Sequence, residues 1–102
     1  MIIAIDFDGT FAADPVGWLR ALRELRTRGH EIVLVTQRTI EFKAEVYQIW
    51  PAEWPVVWAG GFTKRMGCQA ANIKPDIWID DMPDTVDGRA LIYSPQVVFD
   101  DD

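Results

Sequence analysis

Two carboxylates stand two residues apart near the start of the chain, in the stretch IAIDFDGTF from Ile3 to Phe11. Asp6 and Asp8 directly follow an apolar run that is typical of a buried strand. An ionised carboxylate resists burial unless a cation or hydrogen bonds replace the lost hydration. The two aspartates therefore indicate that something besides packing is built at this strand end.

Alternating apolar runs and helical patterns predict the elements that position these aspartates. Five segments are predicted to be strands: Met1–Ile5, Glu31–Thr36, Pro55–Gly61, Asp76–Asp81 and Arg89–Ser94. Three are predicted to be helices: a segment with Asp14 as N-cap and Gly29 at its C-terminal end, Thr39–Trp50, and Thr63–Asn72. This alternation favours a parallel sheet with helices on both faces, in a three-layer Rossmann-like α/β fold. Because the linkers are short, residues 1–102 are predicted to form one domain.

Polar or flexible residues follow four of the predicted strands. They are Asp6, Thr36, the pair Gly60 and Gly61, and the pair Asp80 and Asp81. Each one alone is explained by a helix cap or a turn. In an open parallel sheet, however, the carboxyl ends of the strands form one edge, and ligands bind there. Four such ends together favour a shared site.

The chemistry of that site follows from its ligand types. Three carboxylates at one edge repel each other, and their oxygens, without a nearby histidine or thiolate, suit a hard cation. We expect Mg²⁺, which keeps several waters and completes its shell with substrate phosphate. Phosphoryl transfer is the reaction that this predicts. A carboxylate can itself be the nucleophile and form an aspartyl phosphate.

The same residues carry a resemblance to a known family. DFDGT after the first strand, LVTQR at the end of the second, a following lysine, and IDD at the end of the fourth are similar to the motifs of the haloacid dehalogenase superfamily of phosphatases. Their order and spacing match from Asp6 to Asp81. The resemblance implies a Mg²⁺-dependent hydrolase of phosphate monoesters that works through an aspartyl phosphate.

The resemblance also implies roles for individual residues. Asp6 would be the nucleophile and a metal ligand. Asp8 would be the general acid and base, with its backbone carbonyl on the metal. Thr36 would hydrogen-bond the phosphoryl group, and a lysine would neutralise its charge and hold Asp6. Metal ligation would be completed by Asp80 and Asp81, and substrate contacts are assigned to Gly9, Thr10, Gln37 and Arg38.

Three assignments rest on a choice between alternatives. Lys64 is preferred to Lys74 as the phosphate-site lysine, because it stands at the predicted start of a helix that points toward the strand ends. The segment from Trp50 to Trp54 is assigned to core packing in preference to an exposed patch, although such a patch would suit a partner. Arg38 is equally well explained as a substrate contact and as a surface residue.

The short connections leave no room for a cap domain after the first motif or between Thr36 and Lys64. An open site of this kind needs specificity from its rim, from a second subunit of a homo-oligomer, or from a large substrate. The net charge of −6 opposes binding to nucleic acid or an anionic membrane. A small phosphorylated metabolite or nucleotide is therefore the expected substrate, ahead of a nucleic-acid end or a phosphoprotein.

A receiver-like phospho-acceptor module is the competing, non-enzymatic class. Such modules close their first strand with an acidic pair and carry the acceptor on a later strand, which is the reverse of the order here. The first apolar run ends at Asp6 and is too short for a signal peptide or a membrane span, so a cytoplasmic location is expected.

Overall fold

The computed structural model describes residues 1–88. Its centre is a four-stranded sheet whose paired strands are all parallel, in the order β3-β2-β1-β4. The strands are β1 (Ile2–Asp6), β2 (Glu31–Thr36), β3 (Val56–Trp58) and β4 (Ile77–Ile79). The predicted parallel α/β architecture is confirmed at this level. The predicted fifth strand, Arg89–Ser94, lies outside the described residues.

The helices differ in length, from four to thirteen residues. They are α1 (Pro15–Thr27), α2 (Lys43–Val46), α3 (Lys64–Ala70) and α4 (Asp84–Asp87), with single 3₁₀ turns at Phe11–Ala13 and Ile40–Phe42. None of the helices within residues 1–88 combines the length and the apolar character that crossing a bilayer requires.

Helix α1 has the ends that its sequence predicts. The Asp14 side chain accepts a hydrogen bond from the backbone N–H of Gly17 at 3.1 Å, which satisfies one free donor of the first turn. Gly29 takes a φ of 91°, the left-handed conformation in which glycine terminates a helix without strain. Between these ends, Leu22 is fully buried and Leu25 packs against the same core.

The predicted helix over Thr39–Trp50 is wrong in extent. A 3₁₀ turn and the one-turn helix α2 replace its first part, and turns follow α2. β-branched and aromatic residues give this segment weak helix propensity. Tertiary packing then decides the conformation, because Trp50 is buried with its ring edge-on to Phe11 at 4.9 Å, and its indole N–H donates to the Trp54 carbonyl at 3.2 Å.

Burial of the two tryptophans settles the alternative that the sequence left open. Trp50 and Trp54 are 1% and 4% exposed, so core packing of this segment is confirmed. Neither ring offers a surface to a partner.

The sheet has apolar side chains packed on both faces. Along β1, Ile3 and Ile5 belong to one buried cluster and Ala4 belongs to another, as expected for side chains that alternate along a strand. Helices α1 and α2 contribute to the first cluster, and α3 contributes Cys68 to the second. With both faces covered, ligands have access to the sheet at its ends.

Strand register brings the predicted site residues to one edge. Asp6 pairs with Val35, Ile5 pairs with Ile79, and Thr36 pairs with Trp58. Because all strands run the same way, the residues that follow each of these pairs emerge together at the carboxyl edge. Asp80 thus leaves β4 beside the end of β1.

Candidate functional site

Three carboxylates form a cluster at the carboxyl edge of the sheet. Oxygen atoms of Asp6, Asp80 and Asp81 lie within 4.8 Å of one another. Asp6 is buried, Asp80 is partly buried and Asp81 is exposed, so the cluster runs from the protein interior to solvent. Oxygen-only ligands at this spacing are suited to a hard divalent cation.

Lys64 lies between two of these carboxylates. Its ammonium nitrogen is 2.8 Å from Oδ1 of Asp6 and 2.6 Å from Oδ2 of Asp80, and the residue is only 3% exposed. Lys64 is the first residue of α3, and Thr63 caps that helix by accepting from the N–H of Met66 at 3.2 Å. Lys74, the alternative from sequence, is exposed in the loop before β4.

Burial disfavours the ionised form of Asp6. It raises the pKa of Asp6 to about 6, although the Lys64 ammonium opposes the rise; the charge of Asp80 adds to it. Asp81 responds in the opposite direction, since hydrogen bonding with Asp6 and then with Thr10 lowers its pKa. Asp6 and Asp81 therefore favour a proton, or a cation, between their two carboxyl groups.

Thr10 and Gly9, which are predicted as substrate contacts, adjoin the carboxylates in this structure. The Thr10 hydroxyl lies 3.0 Å from Oδ1 of Asp81 and 3.4 Å from Oδ2 of Asp6, and it accepts from the N–H of Asp81 at 3.2 Å. Gly9 has a φ of 77°, and a Cβ at this position would collide with the Asp81 carboxylate. Glycine is therefore required where the loop passes Asp81.

Asp8 lies outside the cluster formed by Asp6, Asp80 and Asp81 and is held by Arg38. The guanidinium forms a two-point ion pair with Asp8 at 2.9 and 3.0 Å and a further bond to Glu45 at 2.7 Å. Its central carbon lies 5.3 Å and 5.4 Å from the ring centres of Phe7 and Phe42. Asp8 and Glu45 raise the pKa of Arg38, and the hydrogen bond with Asp8 contributes most.

Thr36 and Gln37 end β2 in different environments. Thr36 is 1% exposed, and its hydroxyl accepts from the N–H of Arg38 at 3.1 Å, which fixes the turn that carries Arg38. Gln37 is exposed and donates from its side-chain amide to the Phe62 carbonyl at 3.3 Å. That bond ties the end of β2 to the loop after β3.

A cavity of about 100 Å³ joins four of the predicted residues. Its lining consists of Asp6, Asp8, Gln37, Lys64, Met82 and Thr85. A larger cavity of about 430 Å³ runs along α1, but its lining contains none of the clustered carboxylates. We therefore assign the site by its chemistry and not by cavity size.

Met82 and Thr85 are the lining residues that the sequence did not indicate. The N–H of Met82 donates to Oδ1 of Asp80 at 2.8 Å, and the Thr85 hydroxyl donates to the Met82 carbonyl at 2.7 Å while lying 3.5 Å from Oδ2 of Asp80. The available signal was their position directly after IDD, where the chain must turn back over the site into α4.

Comparison of the chain with protein-family models, curated proteins and solved structures finds no match.

Proposed function

We propose that the chain is a Mg²⁺-dependent phosphatase that hydrolyses a phosphate monoester through an aspartyl phosphate on Asp6. The observation that carries the proposal is the buried Lys64 ammonium between Asp6 and Asp80, beside a small cavity that Asp8 also lines. Positioned charge of this kind supplies most of the catalysis in phosphoryl transfer, where little covalent work is left to the protein.

The proposal extends to the fold family. The parallel strand order, with β1 and β2 central and the carboxylates at their shared edge, is compatible with a three-layer Rossmann-like core of the haloacid dehalogenase type. A single 3₁₀ turn at Phe11–Ala13 separates the DFDGT loop from α1, and the described residues between β2 and α3 form only short elements. This arrangement supports a member without a cap.

The donor set fits Mg²⁺. One ammonium against the three carboxylates of Asp6, Asp80 and Asp81 leaves two negative charges, which is the charge that one divalent cation neutralises. When bound, Mg²⁺ would offset the charge of the phosphoryl oxygens next to the nucleophile. The raised pKa of Asp6 is the expected property of a carboxylate cluster built around a cation.

The side chains then divide the reaction into two steps. A carboxylate oxygen of Asp6 attacks phosphorus, the bond to the ester oxygen breaks, and that oxygen takes a proton from Asp8. In the second step Asp8 removes a proton from water, whose oxygen attacks phosphorus, so that inorganic phosphate leaves and Asp6 is regenerated. Asp8 is exposed and lines the cavity. The first step needs its carboxylic acid form, released from the ion pair with Arg38, which would keep Glu45 as a partner.

Hydrolysis of a generic aryl phosphate tests the proposal. The purified chain should release phosphate with Mg²⁺ and stop on addition of EDTA. Asp6→Asn should abolish turnover, and Asp8→Asn should slow it and allow a phosphorylated protein to be trapped. Asp84→Asn, an identical change at an exposed carboxylate of α4, is the matched control.

The lysines provide a second comparison in the same assay. Lys64→Ala should lower kcat by about 10²-fold or more, since charge stabilisation at the phosphoryl group is lost, whereas Lys74→Ala should retain wild-type rates. Wild-type turnover by Asp6→Asn would refute the covalent route. Stable phosphorylation without release of phosphate would favour the receiver-like module instead.

A further inference from the structure

Three exposed apolar side chains stand on the segments that follow β2, β3 and β4, at the same edge of the sheet as the cavity, and the phosphatase chemistry uses none of them. Phe42, Phe62 and Met82 are 43%, 62% and 61% exposed, and we call them the apolar rim. Met82 lines the cavity itself. Scattered exposed apolar residues are ordinary, but several at one mouth mark a contact surface.

Contacts link the other two rim residues to neighbours of the cavity. The carbonyl of Phe62 accepts from Gln37, which lines the cavity. The ring of Phe42 lies 5.4 Å from the guanidinium of Arg38, which holds Asp8 at the cavity wall. The rim is thus contributed by the segments that follow β2, β3 and β4.

The size of the cavity leaves the rest of a substrate outside it. At about 100 Å³, the cavity is well below the roughly 300–1,000 Å³ of a pocket that encloses a drug-sized ligand. The group that carries the phosphate would therefore extend beyond the cavity. Met82 is the apolar residue of the cavity lining.

Charge at the mouth opposes a second anionic group on the substrate. The cations that the structure describes next to the cavity, Lys64 and Arg38, are each paired with two carboxylates. A further phosphate or carboxylate of the substrate would meet those carboxylates without a free cation to receive it. A neutral group is consequently favoured.

The rim matches one ring better than a second protein. Aromatic side chains present about 150–250 Å² each when fully exposed, so three partly exposed side chains offer a few hundred Å². A stable protein interface buries about 800 Å² on each partner. The rim alone falls well short of that area.

We propose that the substrate carries its phosphate on a neutral aromatic or similarly flat apolar group, which packs against Phe62 and Met82 with Phe42 at the side. This inference rests on the proposed phosphatase function and names the substrate class of the same site. It narrows the substrate from phosphorylated metabolites in general to aromatic phosphate esters.

Benzyl phosphate and ethyl phosphate form the diagnostic pair of substrates. Both release a primary alcohol, so the chemical step is matched and the ring is the main difference. Wild-type protein with Mg²⁺ should show a kcat/KM for benzyl phosphate at least about tenfold higher, mainly through KM. Phe62→Ala and Met82→Ala should each reduce this ratio at least about threefold.

Ile77→Ala is the control variant, because Ile77 is a half-exposed apolar residue at the opposite end of β4. It should leave the ratio unchanged. Turnover of both esters at equal kcat/KM, or a ratio that survives both rim variants, would overturn the inference while leaving the phosphatase proposal intact. A dimer that Phe62→Ala dissociates would also overturn it, since the rim would then be an interface.

Binding separates the inference from the catalytic proposal. Benzylphosphonate should bind to the Mg²⁺-loaded protein about tenfold more tightly than methylphosphonate by calorimetry, and Phe62→Ala should remove the difference. If neither ester is hydrolysed but this preference holds, the phosphatase proposal fails and the aromatic subsite stands. Equal binding of the two phosphonates would contradict the subsite whatever the turnover.

Discussion

Asp6 is subject to opposing effects: burial and neighbouring carboxylates disfavour its charge, and the Lys64 ammonium favours it. Its carboxyl group is 7% exposed, one of its oxygens accepts a hydrogen bond from Lys64, and two further carboxylates lie close by. Burial wins over the ammonium, because the pKa of Asp6 is raised to about 6. An ionised Asp6 therefore weakens the metal-free protein at neutral pH, and a cation would relieve that cost.

The pH dependence of stability should reveal this cost. Since the pKa of Asp6 is about 6 in the folded chain against an unperturbed 3.8, the folded state binds the proton more tightly. The contribution of Asp6 to the free energy of unfolding is then fully present below pH 3.8 and is lost as pH rises through 6. Asp6→Asn lacks this titration, so its stability relative to wild type should rise by about 2–3 kcal/mol between pH 4 and pH 7.

Urea denaturation in EDTA at several pH values measures that difference. The same series for Asp84→Asn controls for the loss of one carboxylate at the surface. A stability difference between Asp6→Asn and wild type that does not change with pH would contradict the raised pKa. With Mg²⁺ present, metal binding should weaken as pH falls through about 6, because the ligand must be ionised.

At the residue scale, the sequence indicated chemistry better than it indicated contacts. Residue type and strand position were enough to place Asp6, Lys64 and Asp80 at one edge, and the structure brings them together there. The ion pair between Asp8 and Arg38, by contrast, depends on where the chain turns after β2. No local pattern predicts a turn that is set by a buried Thr36 hydroxyl.

Among the elements, those with strong local signals were predicted with their ends. Strand β2 has the predicted bounds, and the caps of α1 are the predicted ones. The segment around α2 failed because its apolar residues suit several conformations, and burial of Trp50 selects among them. Strands β3 and β4 are shorter than predicted, with only three residues each. After β4, Asp80 and Asp81 leave the sheet and join the carboxylate cluster.

Gly67 lowers the helix propensity of α3 but lets the helix pack closely against Ala59. A glycine in the middle of α3 lowers helix propensity, yet a Cβ here would lie 2.8 Å from the Cβ of Ala59 and 3.1 Å from its Cα. The helix therefore approaches the end of β3 more closely than any other residue would permit. This close contact helps to set the position of Lys64 at the start of α3.

Gly67→Ala should destabilise the protein by about 1–2 kcal/mol, despite the gain of up to about 1 kcal/mol that alanine brings to an exposed helix. Overpacking against the rigid Ala59 outweighs the propensity. Urea denaturation measures the effect, and Gln69→Ala, at an exposed position of the same helix, provides the control. A Gly67→Ala variant more stable than wild type would show that α3 can shift freely away from β3.

For the molecule as a whole, parallel strand direction is what assembles the site. Residues from the ends of β1, β2 and β4 and from the start of α3 are far apart in sequence and meet only because their strands point to one edge. The same topology leaves that edge open within residues 1–88. Under the proposed function, substrate choice would therefore depend on the rim and on overall charge.

The overall charge provides a test against nucleic-acid ends, the substrate class that an open site would also admit. A chain of net charge −6 lacks the excess of cations that holds a polynucleotide backbone. The exception is α1, where Arg20 and Arg23 line the larger cavity. A 5′-phosphorylated oligonucleotide should have a kcat/KM within about threefold of the mononucleotide, because the added phosphates find no track leading from the site.

Salt makes this comparison decisive. A protein that contacts six to ten backbone phosphates loses about 10³–10⁵ in affinity between 50 and 200 mM salt. Here the ratio of the two kcat/KM values should change less than about threefold over that range. The contrary result would be a strong preference for the oligonucleotide that is lost at high salt and in the double variant Arg20→Ala, Arg23→Ala. It would show that α1 binds a polynucleotide and that net charge does not predict the substrates of this protein.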